Sequence, residues 1–264
     1  MTYRDLSAQA LAEQDYESFL TELHHSLTDG RRDPNEVVRD TLFQIYFGAG
    51  DPQSLSLPAR AAWHSFDPRN VTTEPEYYSD INPTQYSQRK PFIWLWQMFD
   101  RSPLGLNALF GHRFRRMLAP LIFKSVGENF KCWHFVEWSF GYNLTIGNNV
   151  VIHRYVLLDD RGGIDIGNDV SISDFANVYS HTHDIYDIHQ VYTPPTRLGN
   201  GVRVTYHATV LAGTQVEDHA MIGANAVVTR HVPSQHIVAG IPAKTVKIKE
   251  PQTKVASAIE KLES

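Results

Sequence analysis

The chain has 264 residues, 42% hydrophobic and 20% charged, with a formal net charge of -5. That length allows one or two domains with a real core, and the acidic balance argues against a general affinity for nucleic acid. The single cysteine, Cys132, excludes an internal disulfide framework and offers no metal cluster. No N-terminal stretch has the apolar run of a signal peptide, and no segment approaches the roughly 18–20 apolar residues of a membrane span. The expectation is a cytoplasmic protein without stable membrane insertion.

The first thirty residues carry a helical pattern (Leu11, Phe19, Leu20, Leu23, Leu27) that closes at Asp29-Gly30. A second helix starts with Asp33 as cap, Pro34 in the first turn and Glu36 three residues after the cap. It runs to Gly48. From Gly50 to about Pro91 the composition predicts irregular connection with a short helix near Ala59–His64. An aromatic segment follows from Pro91 to Phe99, then an amphipathic stretch from Leu104 to Phe123 containing Arg113, Arg115 and Arg116. Trp and Arg beside apolar residues suit a membrane surface. The favoured alternative is a helical cap over the open end of what comes next. Residues 126–145 are expected to form an irregular first rung.

Over residues 144–248 an apolar residue returns at every sixth position. Leu198, Val204, Val210, Val216, Ile222 and Val228 lead successive hexads, with Val202, Ala208, Thr214, Ala220, Ala226 and Val232 four places after each. Ile146/Val150, Ile152/Val156, Ile166/Val170 and Ile172/Ala176 continue the pairing upstream. A period of six fits neither a helix nor an alternating strand, and it predicts a parallel coil of short flat sides around an aliphatic column. A β-sandwich would alternate with period two. The rhythm breaks at Asp159-Asp160-Arg161-Gly162-Gly163 and again between Val178 and Leu198. The second break holds Ser180-His181-Thr182-His183-Asp184, Tyr186, His189 and Tyr192, whose polar groups cannot be buried unpaired, so loop 179–197 must project. Ile237–Lys249 is expected as a final strand and 251–264 as a helix, from the spacing of Val255, Ile259 and Leu262.

Ile222-Gly223-Ala224-Asn225-Ala226-Val227-Val228-Thr229-Arg230 and Ala239-Gly240-Ile241-Pro242-Ala243-Lys244 carry a resemblance. They resemble the rung and closing motifs of the hexapeptide-repeat acyltransferases, nearest the maltose/galactoside O-acetyltransferase group. The resemblance implies a mainly β fold: a left-handed parallel β-helix over 126–250, a helical N-terminal region over 1–125 that caps the coil and can shape the acceptor pocket, and a short C-terminal helix. It implies acetyl transfer from acetyl-CoA to a hydroxyl of a carbohydrate or related acceptor, in a homotrimer, with no metal. The family's catalytic histidine falls on His183, with His181 as the rival. A neutral imidazole suits removal of a hydroxyl proton near pH 7. Acceptor contacts fall on Asp159 and Asp160, on His153 in place of an Asn, and on Tyr186 in the loop. Cofactor contacts fall on Thr229 and Arg230, on Lys244 and Lys247 for phosphates, and on Ala212, Gly213 and Ala224 beside the pantetheine arm. Tyr206 replaces a small cofactor-contacting residue. The alternatives are a γ-class carbonic anhydrase using zinc on histidines such as His153, His181, His183 and His207, a silent scaffold, and transfer to an amine, an antibiotic or a lipid-linked glycan.

Overall fold

The computed structural model describes residues 7–48 and 50–250. The expected helix over 251–264 lies outside the described residues. Six helices come first: α1 (Ala10–Thr28), α2 (Pro34–Phe47), α3 (Leu57–Phe66), α4 (Pro83–Asp100), α5 (Pro103–Leu106) and α6 (Ala108–Ile122). Asp33 caps α2 through its side chain, which accepts from Asn35 N at 2.9 Å, and Gly48 closes it at φ 75°. The connection expected as far as Pro91 ends earlier, at Asn82. That side chain accepts from Gln85 N at 3.0 Å and starts α4 with Pro83 in its first turn, so Pro91 sits inside a helix. The buried side chains that follow it, Phe92, Ile93, Leu95, Trp96 and Phe99, pack into the core and offset the kinking tendency of a proline inside a helix.

The coil then winds in turns of three short parallel strands. The first turn is β1 (Ser125–Val126), β2 (Lys131–Cys132) and β3 (Glu137–Trp138); the second is β4 (Leu144–Ile146), β5 (Val151–Ile152) and β6 (Leu157–Asp159). The third is β7 (Ile164–Ile166), β8 (Ser171–Ile172) and β9 (Asn177–Tyr179). A hairpin of β10 (Thr182–His183) and β11 (Val191–Tyr192) projects next. The fourth turn is β12 (Thr196–Leu198), β13 (Arg203–Val204) and β14 (Thr209–Val210), and the fifth is β15 (Gln215–Val216), β16 (Met221–Ile222) and β17 (Val227–Val228). Like strands of successive turns pair in parallel, giving three flat faces.

Two sequence expectations need correction here. The first rung is regular, because β1, β2 and β3 pair in register with the turn above. The closing segment is two antiparallel strands, β18 (His236–Ala239) and β19 (Lys244–Ile248), since Gly240 at φ 90° and Pro242 turn the chain back. Turn length also changes along the coil. Thr145 pairs with Asp165, twenty residues on, whereas Arg197 pairs with Gln215, eighteen on. The extra residues fall at one corner, 139–143 in the first turn and 159–163 in the second, and the projecting hairpin grows from the same corner in the third.

The hexad explains the corners as well as the core. The leading residues Ile146, Ile172, Val204, Val210, Ile222 and Val228 are all buried. The third residue after each leader at two corners turns the chain in left-handed backbone, as at Asn149 (φ 56°), Asp169 (φ 58°) and Asn225 (φ 57°). Asn and Asp tolerate that region best. At the corner of Asn225 the same position in the earlier turns carries rings, and Phe135, Tyr155, Phe175 and His207 stack with centroids 4.9–5.3 Å apart. A ladder of side chains ties turn to turn: Asn148, Asn168, Asn200 and Asp218 each accept from the backbone N–H of the turn before, at 2.7–2.9 Å.

The helical region packs on the first turn. Trp96 of α4 meets Trp138 edge-on at 5.0 Å, and Phe123 meets the same ring at 4.9 Å. From α6, Arg116 donates to Phe130 O at 3.0 Å and Arg115 to Cys132 O at 3.2 Å. Trp96 and Arg115 are buried, so these two side chains of the Trp- and Arg-bearing segment pack inside the protein. Among the described residues no helix is long and apolar enough to cross a membrane.

Candidate active site

The hairpin β10–β11 is pinned at its base and bare at its tip. Ser180 is fully buried; its hydroxyl donates to Asp159 O at 2.6 Å and accepts from Gly162 N at 2.9 Å. On the other arm the Thr196 hydroxyl donates to Tyr179 O at 2.6 Å and accepts from Gly213 N at 3.0 Å. Within the tip, Asp184 accepts from Tyr186 N and Asp187 N, bonds that hold its carboxyl below the usual range. Ile185, Tyr186 and Ile188 stand more than 70% exposed.

His183 is exposed on this hairpin and its Nδ1 lies 2.8 Å from Ile188 O. A carbonyl only accepts, so Nδ1 carries the proton and donates, and the neutral ring keeps its lone pair on Nε2. The arrangement fixes the ring and leaves a proton acceptor facing outward. His181 is half-buried beside it, the two ring centres 5.4 Å apart and nearly perpendicular. Its Nδ1 contacts Asp159 Oδ2, and the other oxygen of Asp159 accepts from the Ser139 hydroxyl at 3.0 Å.

The expected acceptor residues do not gather within one chain. Asp159 joins His181, but Asp160 is a correction: it is fully buried and accepts from Phe140 N at 2.7 Å and Asn143 N at 3.2 Å. Its oxygens build the corner, out of an acceptor's reach, and burial pushes its carboxyl up to about 7. His153 stands beyond β5 at a different corner, stacked on Trp133 at 6.0 Å and 3.9 Å from Asp174, with its pKa lowered by burial. His207 sits in the ring ladder. Tyr186 rides the hairpin tip. Among the described residues no group of three or more His, Cys, Asp or Glu side chains is placed to hold a metal ion.

The expected cofactor residues divide between two corners. Ala212, Gly213, Thr229 and Arg230 follow β14 and β17, at the hairpin corner, while Tyr206 and Ala224 follow β13 and β16, at the ring-ladder corner. Lys244 and Lys247 are exposed on β19.

Sequence reasoning did not find the cavity beside the hairpin. It measures about 560 Å³ and lies between residues 71–101 and the first turns of the coil, with Tyr78, Trp94, Glu137, Asp159, Tyr179 and His181 in its wall. Arg161 fastens the two sides, donating to both oxygens of Asp80 at 3.0 and 2.8 Å and lying 4.3 Å over the Tyr78 ring. Burial pushes the Tyr78 and Tyr86 phenols up to about 12, which keeps both as donors. The signal available in the sequence was the clustering of Thr, Glu and Tyr over 72–78.

A six-residue coil with three parallel faces and a projecting histidine-bearing hairpin is a parallel β-helix. The chain is similar to the galactoside O-acetyltransferase of Escherichia coli K12, 28% identical over 137 residues that span 50% of this chain and 68% of that one. It also matches the structure of a maltose O-acetyltransferase from Clostridium difficile 630, with TM-score 0.56 and 24% identity over 68% of this chain and 99% of that one. A hexapeptide-repeat acetyltransferase from Vibrio cholerae, solved with acetyl coenzyme A, shares the fold at TM-score 0.56 and 18% identity, over 70% of this chain and 99% of that one. No family model matches the chain.

Proposed function

We propose that the protein transfers an acetyl group from acetyl-CoA to a hydroxyl of a carbohydrate or related acceptor, with His183 as general base. The observation that carries this is the His183 ring, fixed through Nδ1 to Ile188 O on a hairpin projecting from a hexapeptide coil. The acceptor hydroxyl gives its proton to Nε2 as its oxygen attacks the thioester carbonyl. The tetrahedral intermediate collapses, the C–S bond breaks, and the imidazolium returns the proton to the leaving thiolate. No covalent enzyme intermediate is needed.

The split of the cofactor residues between two corners supports a homotrimer. If the hairpin corner of one chain faces the ring-ladder corner of the next, Thr229 and Arg230 from one side meet Tyr206 and Ala224 from the other. His153 would then reach the hairpin of a neighbour. Arg230, Lys244 and Lys247 are exposed cations suited to the nucleotide phosphates. An amine, an antibiotic or a lipid-linked glycan as acceptor keeps the same chemistry.

The test is calorimetric titration with acetyl-CoA, followed by size measurement in solution. Saturable binding to a species of three chains supports the reading. Absence of binding overturns it and leaves a scaffold.

A further inference from the structure

We propose that the cavity between residues 71–101 and the first turns of the coil is the acceptor pocket, that it takes a polyhydroxylated ring, and that His181, held by Asp159, positions a hydroxyl of that ring beside His183. The inference rests on the acyltransferase reading above. Its geometric core is one juxtaposition. His181 lines the cavity, and its ring centre lies 5.4 Å from that of His183 on the exposed hairpin.

Three observations point to the ligand. The volume of about 560 Å³ falls in the range of small-molecule sites. The walls combine aromatic surface from Trp94, Tyr78 and Tyr179 with polar ends that the protein itself leaves free. Among the described residues the side chains of Thr72, Gln97 and Glu137 make no hydrogen bond or ion pair. Arg101 reaches a main-chain carbonyl, Gln97 O, and no carboxylate. Aromatic faces with scattered donors and acceptors suit a ring whose hydroxyls do both. The charges explain why the ligand is not a phosphate. Arg161 is committed to Asp80 and Asp159 to His181, which leaves one cation, Arg101, against two anions, Glu137 and Glu74, the latter accepting from the neutral Tyr78 hydroxyl. An anionic ligand would need a surplus of cations.

His181 is the link between pocket and chemistry. Asp159 contacts Nδ1 and so fixes the ring, while Nε2 makes no hydrogen bond among the described residues. Ser139 steadies the carboxylate from behind, and Ser180, next to His181, is anchored to the Asp159 main chain. A ring held this firmly can orient a hydroxyl, and the proton itself goes to His183. His181 is therefore a positioning residue.

The experiment uses the full chain with acetyl-CoA and a panel of maltose, methyl β-galactoside and glucosamine as probes. Glu137→Trp places a ring across the cavity, and His181→Asn removes the imidazole while keeping a polar group. Both variants should raise the acceptor KM by about tenfold or more with a much smaller change in kcat, the pattern of lost acceptor binding. Acetyl-CoA affinity and the thermal midpoint should stay near wild type. If Glu137→Trp leaves KM for every probe unchanged, acceptors do not enter the cavity and the proposal falls while the acyltransferase reading stands. If acetyl-CoA binds but no probe is acetylated, the polyhydroxylated ring is the wrong class. If acetyl-CoA does not bind wild-type protein, the underlying reading fails first. A collapse of kcat in His181→Asn with KM unchanged would make His181 the base and overturn its positioning role.

Discussion

Arg115 and Asp100 are joined inside the protein by two hydrogen bonds, 2.9 Å from Nε and 2.5 Å from Nη2 to the same carboxylate oxygen. Both side chains are at most 2% exposed. The second oxygen of Asp100 accepts from Phe135 N at 2.8 Å, and Arg115 also reaches Cys132 O, so one ion pair couples α4, α6 and the first turn of the coil. Burial pushes the Asp100 carboxyl up against the pull of Arg115. Removing only the cation strands that carboxylate. Arg115→Met should therefore cost about 3–5 kcal/mol in urea unfolding, and the double variant with Asp100→Leu should cost less than Arg115→Met alone. A double variant as unstable as the sum of its singles would contradict the coupling.

Asp160 gives the fold a pH signature. Its folded pKa of about 7 lies above the ordinary 3.8, so between those values the folded state keeps a proton that the unfolded chain has lost. Stability from this group is full below pH 3.8, declines through the window by up to roughly 1.4 kcal/mol per pH unit, and is level above 7. His112, whose pKa burial lowers from 6.5 to about 4, contributes the opposite slope over that interval. The comparison is thus variant against wild type: the stability of Asp160→Asn relative to wild type should climb from pH 4 to pH 7 and then flatten. A pH-independent difference would show that Asp160 is ionised when folded.

How much of this was legible beforehand depended on whether the signal was periodic or spatial. The coil could be read from Leu198 to Val228 because every sixth residue must enter one column, and a six-residue beat has no competing explanation. The first turn was obscured because Cys132 and Trp138 lead its hexads in place of aliphatic residues, and because its extra corner residues break the count. Asp159 and Asp160 were indistinguishable as a pair in sequence. The backbone sends one toward His181 and folds the other under Phe140 N and Asn143 N. The N-terminal region could be expected to shape a pocket, but its wall could not be assigned, since Tyr78, Trp94 and His181 are brought together by packing of the helices on the coil.

Gly162 holds the base of the hairpin through its lack of a side chain. A Cβ there would stand 2.3 Å from both Ser180 O and Thr193 O, main-chain atoms on the two arms. Neither can yield as a flexible side chain would, so Gly162→Ala must spread the arms or strain the corner. Overpacking of this kind typically costs about 1–3 kcal/mol. The expected outcome is a lower thermal midpoint together with a loss of acetyl transfer larger than the loss of acetyl-CoA affinity. Wild-type turnover with a lowered midpoint would separate hairpin placement from catalysis.

His183→Ala is the sharpest test of the proposed chemistry. The ring is exposed and its one hydrogen bond among the described residues is to Ile188 O within the same hairpin, so its removal leaves the coil intact. Loss of a general base commonly lowers kcat by roughly 10²–10⁴. The residues proposed to hold the cofactor, Thr229, Arg230, Lys244 and Lys247, are left in place, and acetyl-CoA affinity should be nearly unchanged in calorimetry. His183→Gln should fail equally, because an amide can replace the hydrogen bond to Ile188 O without accepting a proton near neutrality. If either variant turns over at the wild-type rate, the base is another group, and His181, with Nδ1 already held by Asp159, is the residue to substitute next.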